Sequence, residues 1–354
     1  MNQKVSGEQR LGRTGRWVAL AAIAVVSLTA AGAYGVHVAR EQADRRTGES
    51  VAEIALALPA GPHITFRNTA SGQGYGMVST VALDDPAGAR TIGAIACDRV
   101  DEADGMLSCL RTVRGVPTTF RTEVYSAAGE PVADWPLAGI PSRTRVSDDG
   151  LIATTSFVTG HSYAADSFST ETTVLGPDGR DYGNLQDFDI TVDGAPLTAV
   201  DRNVWGVSFA GEDRFYATVA SGGQSWLAEG DLAERTLTAV APHAECPSVS
   251  PDGSRVAFKV RRERAGTIGS AGMVSGAGVH WDVAVMELAT GERTVIELEA
   301  GLDDQLEWLD DETLLYGLPR ADAGWDSDVY ALPAEADAVP KLLIEHAWSP
   351  SVVR

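Results

Sequence analysis

The chain has 354 residues, 44% of them hydrophobic, and a formal net charge of −21, which suits one large domain or two ordinary ones. Aromatics make up only 7% and glycines number 37, so an apolar core has to rest on Val, Leu, Ile and Ala in a fold with many turns. Seven of the 28 basic and three of the 49 acidic residues precede residue 47, leaving 21 basic and 46 acidic side chains beyond it; that excess of negative charge excludes nucleic acid as a partner.

The N-terminal part differs from the rest. Residues 1–16 form a basic tail with Lys4, Arg10, Arg13 and Arg16. Residues 17–39 carry no charge, and Arg40, Arg45 and Arg46 follow. The run is long enough to cross a bilayer as a helix, with Trp17 and Tyr34 near the two interfaces and the basic tail in the cytoplasm. A cleaved signal peptide is the other reading, since Ala31-Gly32-Ala33 has the small-x-small form of a cleavage site. The first reading puts the protein in the cell membrane as a single-pass protein and the second secretes it; both place the remainder of the chain outside the cytoplasm. Residues 40–60 read as a linker and 61–354 as the folded domain.

Past residue 60 the apolar segments are short, often alternating, and bounded by Gly, Asp and Pro, which predicts strands. Thr91–Val100 and Met106–Val113, separated by Asp101–Gly105, read as a hairpin. Centring it on Ala103 sets Cys97 opposite Cys109, and facing residues on antiparallel strands lie within disulfide reach. The expectation is a Cys97–Cys109 bond, with Cys246 left as a small core residue.

One strand-turn-strand unit recurs. Its clearest copy is Cys246–Lys259, where Ser250-Pro251-Asp252-Gly253 joins two strands. Asp-Gly supplies the positive φ a tight hairpin needs, and Pro presets the turn. Looser copies surround Asp104, Asp149, Asp213 and Asp311, at a mean spacing of about 52 residues, near the ~40–50 of four-stranded propeller blades. A second strand pair follows each turn, and Ala347–Val353 supplies the first strand that His63–Arg67 and Met77–Leu83 lack. The fold class is therefore all-β: a six-bladed β-propeller of four-stranded antiparallel blades, closed by pairing of its N- and C-terminal strands, after one N-terminal transmembrane helix.

The phrase Cys246–Lys259 is similar to the repeat of TolB-like propellers, a WD-repeat-like family. The resemblance covers residues 143–354 well and 61–140 more weakly. Together with 25 Arg against only Lys4, Lys259 and Lys341, it implies the small membrane-anchored type of high-GC Gram-positive bacteria. The periplasmic TolB protein has an α/β domain ahead of its propeller where this chain has an apolar span, so a role in the Tol system does not carry over.

No catalytic, cofactor or metal site emerges. Gly160-His161-Ser162-Tyr163-Ala164 half-matches a nucleophile elbow but has strands on both sides and lacks the final Gly. His243, Glu245 and Cys246 lack the Cys-x-x-Cys that would complete a deaminase zinc site. The acidic pairs lack the calcium-loop spacing. The links between second and third strands, at Thr159–Phe168, Ser221–Gln224, Arg261–Val279 and Pro319–Trp325, are uneven in length and fall on one face, opposite the tight turns. Long loops on a rigid scaffold favour binding, which makes His161, Tyr163, His280 and Trp325 the candidate contacts for a partner. The expected function is a module binding a protein or an envelope polymer at the membrane. The alternative is a hydrolase or lyase using carboxylates in the channel mouth.

Overall fold

In the computed structural model, which describes residues 13–47, 61–158, 169–264, 267–268, 274–275, 278–302, 304–321 and 325–354, the predicted strand pairs stand around an axis as six blade sheets, and a small seventh sheet pairs Thr267–Ile268 with Val274–Ser275. The chain divides into an N-terminal helical unit and the propeller. In the former, Arg13–Thr47 is one helix. Its stretch Leu20–Arg40 has a mean hydropathy of 1.6 and is long and apolar enough to cross a membrane.

Blade 1 is shared between the two ends of the propeller. Its strands, from the axis outward, are Ala347–Val353, His63–Asn68, Met77–Ala82 and Thr91–Ala96. The closing pair is antiparallel, with His63 opposite Val353 and Asn68 opposite Ala347. Blades 2 to 6 each begin at the axis, with Arg99–Ala103, Ile140–Val146, Asn203–Phe209, Glu245–Val249 and Glu307–Trp308. Because each blade alternates direction, the tight turns after the first strand lie on one face. The second strands end and the third strands begin on the other face, where the chain also passes from blade to blade.

The core is distributed between blades. Among the described residues six buried apolar clusters occur, one at each blade interface. Blades 3 and 4 share Leu151, Val174, Val204 and Phe215, and blades 6 and 1 share Leu315, Val329, Ile64 and Phe66. The clusters on either side of blade 2 are the thinnest, with Val78, Cys97, Val100, Leu107 and Cys109 on one side and Val124, Val146 and Ile152 on the other. The Cys97–Cys109 disulfide sits in the first of these. A crosslink closing a loop of this length contributes about 3 kcal/mol, mainly by restricting the unfolded chain, and here it reinforces a weakly packed joint.

Its register differs from the expected one. The hairpin turns at Asp104-Gly105, so Val100, not Cys97, faces Cys109. Thr91–Val100 is two strands: Thr91–Ala96 ends blade 1, and Arg99–Ala103 begins blade 2. Cys97 lies in the short link between them, and its Cα is 5.3 Å from that of Cys109. Likewise, the expected loop from Arg261 to Val279 begins and ends as strand. Arg255–Arg264 pairs with Gly278–Glu287 out to Arg264 opposite Gly278. Blade 4 gains two strands that no local pattern announces: Asp189–Val192 runs parallel to Thr236–Pro242 and carries Ala195–Pro196 on its outer side.

The innermost strands of blades 4, 5 and 1 bulge at residues with positive φ: Gly206 (+67°), Cys246 (+53°) and Ser349 (+56°). Each bulge is followed two residues later by a serine. Ser208 Oγ accepts from Val249 N–H of the next blade at 2.9 Å, and Ser351 Oγ accepts from Glu102 N–H at 2.9 Å. Gly206 also packs against its neighbour: a Cβ there would lie 2.9 Å from Cys246 Cα. Gly206→Ala combines a left-handed backbone with a clash against main chain, and is expected to cost about 2–4 kcal/mol. Thermal melting reads this directly; a melting temperature within a degree of the parent would show that the bulge relaxes freely.

Candidate functional site

On the tight-turn face the axis opens into a cup of about 1290 Å³. Its wall is made by the C-terminal halves of the innermost strands and its rim by the turns that follow them. The described lining contains ten carboxylates (among them Glu102, Asp104, Glu212 and Glu229) against three guanidiniums, those of Arg145, Arg214 and Arg354, and it holds no histidine, cysteine or lysine.

The rim is acidic because the turns require acids. Ser250 Oγ donates to Asp252 at 2.6 Å, and Asp252 in turn accepts from the backbone of Ser254 at 3.0 Å, closing the hairpin. The Ser250 hydroxyl, more than any other group, holds Asp252 down at about 2. Asp149 repeats the arrangement with Ser147 at 2.6 Å. Partial burial opposes ionisation there, but the bonds from Ser147 and Arg180 outweigh it and keep Asp149 below its usual range. Both rim acids are therefore charged at neutral pH.

The floor is an ion cluster assembled from three blades. Arg145 of blade 3 donates to Asp101 Oδ1 of blade 2 at 2.9 Å and approaches Glu307 Oε2 of blade 6 at 3.0 Å. It also donates to the Leu306 carbonyl, and the Gln305 side-chain oxygen, oriented to satisfy the network, faces the same guanidinium. Asp101 Oδ2 accepts from Val146 N–H at 2.7 Å. Burial pushes Glu307 up to about 7, with Arg145 opposing and Asp101 reinforcing the shift. Burial raises Asp101 as well, against the pull of Arg145. Beside the floor, Glu102 accepts from Thr65 at 2.6 Å and lies 3.5 Å from His63 Nε2, and the bond to Glu102 raises His63 above its usual value.

Further side chains bridge the blades on the other side of this cluster. Arg99 meets Asp304 at 2.6 Å and stacks 4.9 Å from the Trp348 ring centre. Arg143 reaches from blade 3 to Cys246 Sγ of blade 5 at 3.8 Å.

None of the four candidates chosen from sequence is among the described residues that line the cup. His161 and Tyr163 lie outside the described residues. His280 lies on a strand of blade 5 and bonds the Leu298 carbonyl through Nε2 at 2.6 Å. Trp325 packs edge-on against Tyr75 of blade 1 at 5.7 Å, and Arg67 lies over the Tyr75 ring. Each of these two anchors its own surroundings, on the face opposite the cup. Asp101, Arg145 and Glu307 were not anticipated. Their signal was faint but present: each is a charged residue inside the strand immediately before a tight turn, where the other copies carry Ser or Val.

No protein-family model matches the chain, and a search of curated proteins finds no match. Among solved structures it is similar to a protein from Lactobacillus plantarum, at 11% identity and a TM-score of 0.48, covering 83% of this chain and 100% of that one. A puromycin-hydrolyzing peptidase from Mycobacterium tuberculosis matches at 13% identity and a TM-score of 0.46 over 84% of this chain, which spans only 45% of the peptidase. The β-propeller domain of the Trilobed protease from Pyrococcus furiosus, described as having an open velcro topology, matches at 10% identity and a TM-score of 0.40, covering 71% and 72% of the two chains. Likenesses this distant say nothing of activity.

Proposed function

We propose that this chain is a membrane-tethered, extracytoplasmic propeller of TolB-like type that acts as a binding module, taking a cationic segment of a protein or envelope polymer into its cup. The observation that carries the reading is the lining: ten carboxylates against three guanidiniums around about 1290 Å³. Such a mouth concentrates the field of its rim and draws in positive charge. The apolar helix supports the tether, and the Cys97–Cys109 bond supports an oxidising compartment.

A hydrolase or lyase remains the second reading, on one observation: Glu307, at about 7, is a carboxyl that can exchange a proton at working pH. Against it, both floor carboxylates are committed to Arg145.

Decalysine binding to the full chain in detergent, measured by calorimetry, tests the proposal. Replacing Glu212, Glu229 and Glu287 of the cup by Gln is expected to weaken binding about tenfold, a loss of ~1.4 kcal/mol. The same charge change at Glu297, Glu299 and Glu345 on the opposite face should leave affinity within about twofold, because screening confines the effect to ~10 Å. Equal losses from both sets would reduce the cup to general negative charge and overturn the reading.

A further inference from the structure

The floor of the cup holds two carboxylates and one guanidinium in a place largely closed to water. Asp101, Glu307 and Arg145 have side chains 5%, 16% and 10% exposed. One positive charge meets two negative ones, so one negative charge lacks a counterion within the cluster. The surrounding charges do not supply it. Asp304 adds a further negative field at Arg145 while it pairs with Arg99. Glu102 is engaged by His63 and Thr65. Arg255 stacks over the Trp308 ring at 5.4 Å. Arg354 attracts Glu307 but sends its guanidinium to the Trp308 carbonyl at 2.6 Å.

The missing counterion can be a proton, and the two carboxylates are unequal hosts for it. Asp101 has a short bond from Val146 N–H at 2.7 Å on the oxygen turned away from its main Arg145 contact. The corresponding oxygen of Glu307 accepts from Val352 N–H at 3.3 Å. Hydrogen bonds to the charged form favour it, so Asp101 keeps its charge and Glu307 takes the proton.

We propose that Glu307 is a proton-operated latch on the floor of the cup: on taking a proton from solvent it leaves its ion pair with Arg145, removes one negative charge from the floor and weakens the hold on a cationic segment. This rests on the cup being the binding site, and adds its regulation. The direction of its effect on stability is fixed. Glu307 sits at about 7 in the folded chain against 4.5 ordinarily, so its contribution is fully present below that ordinary value and is lost as pH rises through about 7.

The test compares the full chain in detergent with Glu307→Gln, by thermal melting between pH 5 and 8.5 and by decalysine calorimetry at pH 6 and 8. Lysine keeps its charge over this range. The parent is expected to lose several degrees of melting temperature as pH rises across the interval, and Glu307→Gln at most half as much. Decalysine should bind the parent about fivefold more weakly at pH 6 than at pH 8. At most half of that change, the part carried by His63, should remain in the variant. Parallel melting profiles would overturn the latch and leave the cup reading intact. A difference in melting with no decalysine binding to the parent at either pH would instead overturn the cup reading, and with it the regulatory role. Should Glu307→Gln fail to fold, carboxyl carbon NMR of the parent decides: a Glu307 midpoint near 7 upholds the latch and one near 4.5 ends it.

Discussion

Removing Ala347–Val353 is expected to abolish the cooperative folding of the propeller. The strand is the innermost of blade 1 and the sole partner of His63–Asn68 on the axial side. Its Ala347 and Val352 belong to the cluster between blades 6 and 1. Trp348 underlies Arg99, and Ser349 and Ser351 bond the backbone of blade 2 at Val100 and Glu102. Its loss therefore opens two blade interfaces at once and bares an edge strand. Each large buried side chain carries about 1.5–3 kcal/mol, against a total stability of about 5–15 kcal/mol for a typical domain. Circular dichroism should show no sharp melting transition, and a synthetic peptide of residues 346–354 should restore one by adding the missing strand in trans. A truncated chain melting cooperatively within about 5 °C of the parent would mean that closure by this strand is dispensable.

Replacing Arg145 by Met should have the next largest effect. The guanidinium is the only cation within hydrogen-bond reach of both Asp101 and Glu307 among the described residues. Taking it away leaves two buried carboxylates facing each other, and breaking a buried pair in this way costs about 3–5 kcal/mol. Because the penalty belongs to the stranded anions, adding Asp101→Asn and Glu307→Gln to the same chain should return more than half of it, a non-additivity expected of directly coupled groups. Denaturant unfolding of the single and triple variants measures both quantities. If the triple variant is less stable than Arg145→Met alone, the cluster holds the blades together by attraction and the argument from stranded charge fails.

The fold was legible because its turns are chemically demanding. Asp252-Gly253 and Asp104-Gly105 need positive φ or a carboxylate cap, and that need is written in the residues themselves. Strand limits were less legible where the chain passes between blades. Only Cys97 and Asp98 separate Thr91–Ala96 from Arg99–Ala103, with no Gly or Pro to mark the crossing, so two strands from different blades read as one. The disulfide pair survived that error because Cys97, though outside the hairpin, folds back beside Cys109. The parallel strand Asp189–Val192 pairs with a segment 47 residues further along the chain, as in Asp189 opposite Thr236, and a pairing so distant leaves no local pattern. The floor of the cup was hidden for a related reason. Asp101, Arg145 and Glu307 come from three blades, and each alone looks like an ordinary charge near a turn; only the closed ring sets them face to face.

The closing strand pair also fixes how the ring would yield to mechanical load. His63 lies opposite Val353 and Asn68 opposite Ala347, so the chain enters and leaves this pair at the same end. Tension between residue 62 and Arg354 would load the ladder one rung at a time, as in unzipping, rather than shearing all rungs together. On the other side of blade 1, Cys97 and Cys109 hold the outgoing link covalently to blade 2. The two edges of the shared blade thus differ in strength: the last strand is the first to yield, which gives the ring a defined seam where opening under force begins.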